Sequence, residues 1–297
     1  MVGKQERRYQ RTITVVLALI SLIMVIPLVL LVVASFTSNN EIVLHGYSFF
    51  PKELSLEAYR YIWNERAQVF HAYGITILVT AIGTTIGVIM TLLYAYVLAH
   101  EKFPGKTFLA FYLFFTMLFN GGLVPTYIMY TRYLHMKNTI PALIIPGLLM
   151  SAFNVILTRT YIQSNVPAAL SEAAKIDGAT EFQVFRKVVL PMCKPIIATV
   201  GLFAGLGYWN DWTNGLYYIT DTNKFSIQQL LNNMIKNIEF LSKNANSNIN
   251  LASVGGGIPQ ETVRMAIAIV GLLPILIVFP FVQKYFVKGI SIGAVKG

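Results

Sequence analysis

Hydrophobic positions in this chain come in long blocks separated by short polar stretches. Ile13 to Ala34 is 22 residues without a charge, enough to cross roughly 30 Å of bilayer hydrocarbon. Tyr73–Ala99, Thr107–Thr131, Asn138–Thr158, Lys194–Asn210 and Met265–Gln283 repeat the pattern. The blocks predict an all-α polytopic membrane protein with six transmembrane helices. The first is longer than the apolar core of about 7–15 residues in a secretory leader, so a retained helix is expected there. The third is broken near Asn120-Gly121-Gly122 and Pro125, and the fifth is short enough to start within the interface. Gly83 with Gly87 and Gly201 with Gly205 are spaced for close helix approach. No repeat of fixed spacing stands out.

The expected organisation follows. Residues 1–35 are a cytoplasmic start and first helix, and 36–70 an extracellular loop with short helical pieces. Residues 71–287 form a five-helix core with a cytoplasmic helix pair at 166–190 and an extracellular loop at 211–264. Residues 288–297 are a cytoplasmic tail. Lysine and arginine set the orientation. The inside segments hold 14 in 71 residues and the outside segments 9 in 98, as the positive-inside rule requires. Both termini are then cytoplasmic, in a multi-pass protein of the cell membrane.

The stretch from Asn165 to Pro195 is polar yet strongly patterned. Pro167 suits a helix start, and Ala168 to Asp177 are mostly good helix formers. Gly178 stands where a helix ends in the left-handed conformation. Thr180 and Gln183 have capping-box spacing, so a second helix starts at once. Leu190-Pro191 ends or bends it. Each helix is too short to be stable alone in water, so another protein is expected to pack on the pair.

Glu172-Ala173-Ala174, three residues, Gly178, nine residues, then Val188-Val189-Leu190-Pro191 resembles the EAA motif of type I ABC importer permeases, with Val188 where the family has Ile. The resemblance implies the type I ABC importer permease fold. It also implies that Glu172, Ala173, Ala174, Asp177 and Gly178 belong to coupling helices docking in a groove of a cytoplasmic ATPase. Asn120 to Tyr127, the Trp209–Trp212 patch and Ile292 to Gly297 are similar to the carbohydrate-uptake branch, the smaller permease subunit for complex oligosaccharides in Gram-positive bacteria. That branch implies a second, different permease subunit, two ATPase subunits carrying ATP and Mg²⁺, and an extracellular binding lipoprotein. Its C-terminal tail, here Ile292–Gly297, would reach towards the ATPases, and part of Thr213–Thr262 towards the binding protein.

Composition narrows the chemistry. Hydrophobic residues make up 55% and charged ones 12%, about half the usual charged share of a soluble protein. The net charge of +10 belongs to cytoplasmic loops. No basic run is interleaved with aromatics, so no nucleic-acid partner is expected. Cys193 is the sole cysteine and the four histidines are scattered, so neither a disulfide nor a metal site is expected. No phosphate-binding glycine loop, HExxH or GxSxG sequence occurs, so the chain is not expected to be an enzyme or to bind a cofactor. The apolar cores carry no ionisable side chain, which disfavours an ion-coupled secondary carrier or channel. An ABC permease for peptides or amino acids is the other alternative.

A second patch lies at the outer end of the fifth block: Tyr208, Trp209, Asn210, Asp211, Trp212 and Asn214. Aromatic rings beside planar polar groups suit the C–H faces and hydroxyls of a sugar. They equally suit an aromatic belt at headgroup depth. Both readings stand at this point.

Overall fold

The computed structural model describes residues 4–100, 103–244 and 260–294. Among them all regular structure is helical, apart from a single antiparallel bridge between Thr37 and Leu54. The chain divides into two units, Met1–Val69 with Leu231–Pro274, and Phe70–Leu230 with Ile275–Gly297.

In the first unit, helix α1 (Lys4–Ser35) is apolar on every side and exposed from Arg8 to Val29. Only a lipid or protein surround satisfies such a surface. Its end is fastened to the first loop. Ser35 shares a 2.8 Å hydrogen bond with the Tyr59 hydroxyl, and the Phe36 and Tyr59 rings stack at 4.8 Å. That loop carries α2 (Asn39–His45) and α3 (Glu57–Asn64), the short helical pieces expected there. Tyr47 donates to Glu261 at 3.1 Å, and Arg264 pairs with Glu261 at 3.2 Å and Glu239 at 3.9 Å.

The second unit holds most of α4 (Arg66–Ala99), then α5 (Lys106–Leu118) and α6 (Leu123–Ile128), which continues as a π-helical turn to Tyr133. Next come α7 (Pro141–Ile144), α8 (Ala152–Asn165), α9 (Ala168–Ile176) and α10 (Glu181–Val184). A π-helical turn, Phe185–Val189, leads into the short α11 (Leu190–Met192) and then α12 (Lys194–Asn210). α13 (Thr213–Tyr218) follows. α14 (Ile227–Asn244) and α15 (Gln260–Ala294) each run through both units.

The six expected blocks differ in how continuous their helices are. Arg8–Ser35, Arg66–Ala99 and Glu261–Pro280 are each long and apolar enough to cross a membrane, with mean hydropathies of 3.3, 2.1 and 2.4. The third block bends by 114° between α5 and α6. Gly122 there has φ +82°, and Asn120 Oδ1 accepts its N–H at 2.8 Å. The fourth block is not one helix, because residues 145–151 are unwound between α7 and α8. Pro146 lacks a backbone donor, and Gly147 takes φ +71°. The fifth is one helix, α12, which leaves α10–α11 at an angle of 81°, at Cys193.

Of the two glycine pairs, Gly83 with Gly87 marks real close approaches, whereas Gly201 and Gly205 leave ordinary contact distances. A Cβ on Gly83 would lie 2.3 Å from the Tyr208 ring, and one on Gly87 2.7 Å from the Leu149 carbonyl oxygen. Below them Leu92, Ala95, Leu98, Val155, Ile162, Val184, Val189 and Cys193 form one buried cluster. It joins α4 and α8 to the base of the polar loop.

Candidate functional site: a capped helix pair and an uncharged cleft

The loop from 166 to 190 folds as its sequence chemistry dictates. Pro167 stands just before α9, with extended backbone, and so frames the helix from the N-cap. At the other end the Gly178 N–H donates to Lys175 O at 3.0 Å and the Ala179 N–H to Ala174 O at 2.9 Å. These two bonds are the Schellman closure, and it needs the φ of +82° found at Gly178. Thr180 then caps α10. Its hydroxyl accepts the Gln183 N–H at 3.3 Å, and the Gln183 side chain accepts the Thr180 N–H at 2.8 Å. Helix, reversal and helix are thus fixed by local bonds alone.

The pair has two faces. Ala174, Ala179, Phe185 and Val188 pack on the buried cluster. Glu172, Ala173, Asp177 and Gly178 are exposed, as are Leu170, Ile176 and Phe182. Ile176 is 86% exposed, so this face is apolar in part and has no cover within the chain. Ala174 alone of the five expected coupling residues turns inward. Neither Glu172 nor Asp177 has a side-chain partner among the described residues. The acid that does is Glu181, which sequence reasoning left out. It pairs with Lys175 of α9 and accepts the Tyr96 hydroxyl at 2.9 Å, with His100 Nε2 at 3.8 Å. The Lys175 ammonium, then the Tyr96 hydroxyl, hold its carboxyl below the usual range. Only the spacing of Lys175 and Glu181 across a glycine turn hints at this. Tyr96 lies 85 positions away and gives no local signal.

The aromatic patch is split. Tyr208 is buried against Gly83, and its hydroxyl donates to Ile144 O at 2.9 Å. Asn214 is buried and donates to Pro146 O at 2.9 Å. Both therefore brace the unwound stretch 145–151. Asp211 Oδ1 accepts the N–H groups of Thr213 at 3.1 Å and Asn214 at 3.3 Å. Burial pushes its carboxyl up, partly offset by those two donors. The Trp209 ring tilts against Tyr73 at 6.3 Å, and Trp212 and Asn210 are exposed.

What Tyr208 and Asn214 brace is a cleft of about 400 Å³. Gly87 and Thr91 of α4 form one wall, Gly147 to Leu149 and Asn154 the second, and Val200, Phe203 and Gly207 of α12 the third. No charged residue lines it. The backbone from Gly147 to Met150 lies outside any helix. At membrane depth such backbone is tolerated only inside protein or beside a water-filled cavity. Asn154 is 8% exposed and its amide has no hydrogen-bond partner among the described residues.

The profile of the family described as "Binding-protein-dependent transport system inner membrane component" matches residues 83–292. The chain belongs to this family. The match runs from the glycine that receives Tyr208 to the last helix and includes the 166–190 loop and the cleft. The permease is 35% identical to the polygalacturonan/rhamnogalacturonan transport system permease protein YtcP of Bacillus subtilis, over 99% of this chain and 100% of that one. It is 26% identical to the arabinooligosaccharides transport system permease protein AraQ of Halalkalibacterium halodurans, over 96% of each. Among solved structures, a chain of a bacterial ABC transporter involved in the import of the acidic polysaccharide alginate aligns with a TM-score of 0.77 and 28% identity, over 96% of this chain and 99% of that one. The fold is that of an ABC importer permease.

Proposed function

We propose that this permease is the non-catalytic membrane subunit of an ATP-driven importer for oligosaccharides, working by alternating access. The observation that carries the reading is the exposed face of the capped helix pair, with Glu172, Ala173, Asp177 and Gly178 presented together. Two cytoplasmic ATPases bind ATP and Mg²⁺, close on each other, and draw this face with them. A second, different permease completes the passage, and an extracellular binding lipoprotein delivers the sugar. The chain crosses the cell membrane six times with both termini in the cytosol, two of the crossings being bent or interrupted. The named solutes of the relatives and the uncharged cleft support a carbohydrate over a peptide or amino acid.

The test joins topology to energetics. Cys193 is the sole cysteine and is buried, so Glu172→Cys gives a clean labelling site. Labelling is expected from the cytosolic side only, and the purified complex is expected to hydrolyse ATP when binding protein and oligosaccharide are added. Labelling from outside, or a complex without an ATP-hydrolysing companion, would sink the reading. Stimulation by peptides or amino acids in place of sugars would transfer it to the alternative solute class.

A further inference from the structure

We propose that Tyr96, Glu181 and Lys175 form a latch that makes α4 move with the coupling loop, so that all three walls of the mid-span cleft answer to the ATPase. The proposal rests on the permease reading above and adds positioning residues to it.

The walls are not attached to the loop in the same way. The second wall leads through α8, which ends at Asn165, two residues before the helix pair starts. The third wall is α12, which begins at Lys194, directly after the loop's last turn. Both are continuous with the loop along the chain, so displacement of the loop moves them directly. The first wall, α4, has no such continuity, since Ala99 leads into a turn and then α5. Its Gly87 and Thr91 nevertheless close the cleft.

Two kinds of contact join α4 to the loop. One is the apolar cluster in which Leu92, Ala95 and Leu98 gather with Val184 and Val189. Apolar burial holds surfaces together but has no preferred direction, so these faces can slide. The other is polar. The Tyr96 hydroxyl bonds Glu181 at 2.9 Å, and the same carboxylate grips Lys175 across the glycine turn. Tyr96 also packs on Phe185, centroids 5.1 Å apart. A hydrogen bond weakens steeply away from its preferred angle, so this contact fixes the register of α4 against both helices of the pair. Tyr96 stands nine residues from Gly87, about 14 Å along one helix. Gly87 presses on the Leu149 carbonyl oxygen, so axial displacement of α4 reaches the unwound stretch directly.

The experiment uses the complete transporter in proteoliposomes and reads solute moved per ATP hydrolysed. Tyr96→Phe removes one hydroxyl and leaves the ring in place. It is expected to lower that ratio about tenfold, the factor for losing one hydrogen bond to a charged group, while hydrolysis continues and the ATPases still co-purify. Lys175→Met breaks the other half of the latch and is expected to lower the same ratio. Tyr96→Phe added to Glu181→Ala is expected to cause no further loss. An unchanged ratio in Tyr96→Phe, uptake and hydrolysis falling in step, or losses that simply multiply would each overturn the latch. A wild-type chain that purifies without an ATPase would instead overturn the permease reading, and the two failures are thereby distinguished.

Discussion

Gly178 offers a sharp separation of backbone strain from side-chain contact. Its φ is +82°, and a Cβ built there would meet nothing within 4 Å. A substitution therefore costs only the left-handed conformation, about 1–2 kcal/mol for an ordinary L-residue. At 1.36 kcal/mol per decade this is roughly a 5- to 30-fold loss in the population holding the Schellman reversal. Asparagine tolerates the left-handed region, whereas a β-branched residue there is a genuine outlier. Solute uptake per ATP in reconstituted vesicles is therefore expected to fall in the order Gly, Asn, Ala, Val at position 178, with chain abundance little changed. Gly178→Val with full coupling would refute the strain argument. Gly178→Asn as poor as Gly178→Val would also refute it, because the lost quantity would then be surface contact rather than φ.

Gly83→Ala is expected to destabilise the second unit by about 1–3 kcal/mol through overpacking on Tyr208, read as lower yield and thermal midpoint in detergent. The same change in a Tyr208→Ala background should cost less than it does alone. Thr180→Ala removes the α10 cap and is expected to cost about 1 kcal/mol, measured as faster protease nicking between 176 and 184. The lowered carboxyl of Glu181 has a definite pH signature. Its contribution is fully present above the ordinary glutamate value of 4.5 and is lost only as pH falls through the lower folded value. Acid titration of wild type and Glu181→Gln should thus converge below that range and be parted above it. Trp212→Ala is expected to weaken transport with assembly intact if the exposed ring meets sugar; unchanged uptake kinetics would assign it to the interfacial belt.

The coupling loop was legible because local chemistry builds it. Glycine at a left-handed position and the Thr180–Gln183 capping box are short-range signals, and the structure places them where expected, whereas the bend expected at Leu190-Pro191 falls at Cys193. The helical class was legible for the same reason that long apolar runs demand internally satisfied backbone. The unwinding at 145–151 was not. Pro146-Gly147 looks in sequence like a mild kink in an apolar run. What braces it is the Tyr208 and Asn214 side chains, which bond the Ile144 carbonyl at its edge and the Pro146 carbonyl within it from 64 and 68 positions away. Those two residues stood as candidates for a sugar-facing patch or for an interfacial belt, and both are buried with their polar groups bonded to backbone carbonyls. Glu181 escaped notice because its deciding partner, Tyr96, belongs to a different helix.

Magnitudes decide what the latch and the docking face can each do. Moving a two-state equilibrium from 1:99 to 99:1 takes about 5.5 kcal/mol of differential interaction. The Lys175–Glu181 pair is largely exposed, its side chains 38% and 61% accessible, and such pairs give about 0–1 kcal/mol. The Tyr96 bond adds about 1.5–3 kcal/mol at most. Together they cannot drive the change, but they are sufficient to resist slip between α4 and the loop. The driving term has to be sought on the other face, where Leu170, Ile176 and Phe182 stand 46%, 86% and 66% exposed. Burying one such side chain fully is worth about 1.5–3 kcal/mol. Only the part of that burial which differs between the closed and open ATPase counts. Two of the three residues becoming covered in one state alone would already approach the required amount.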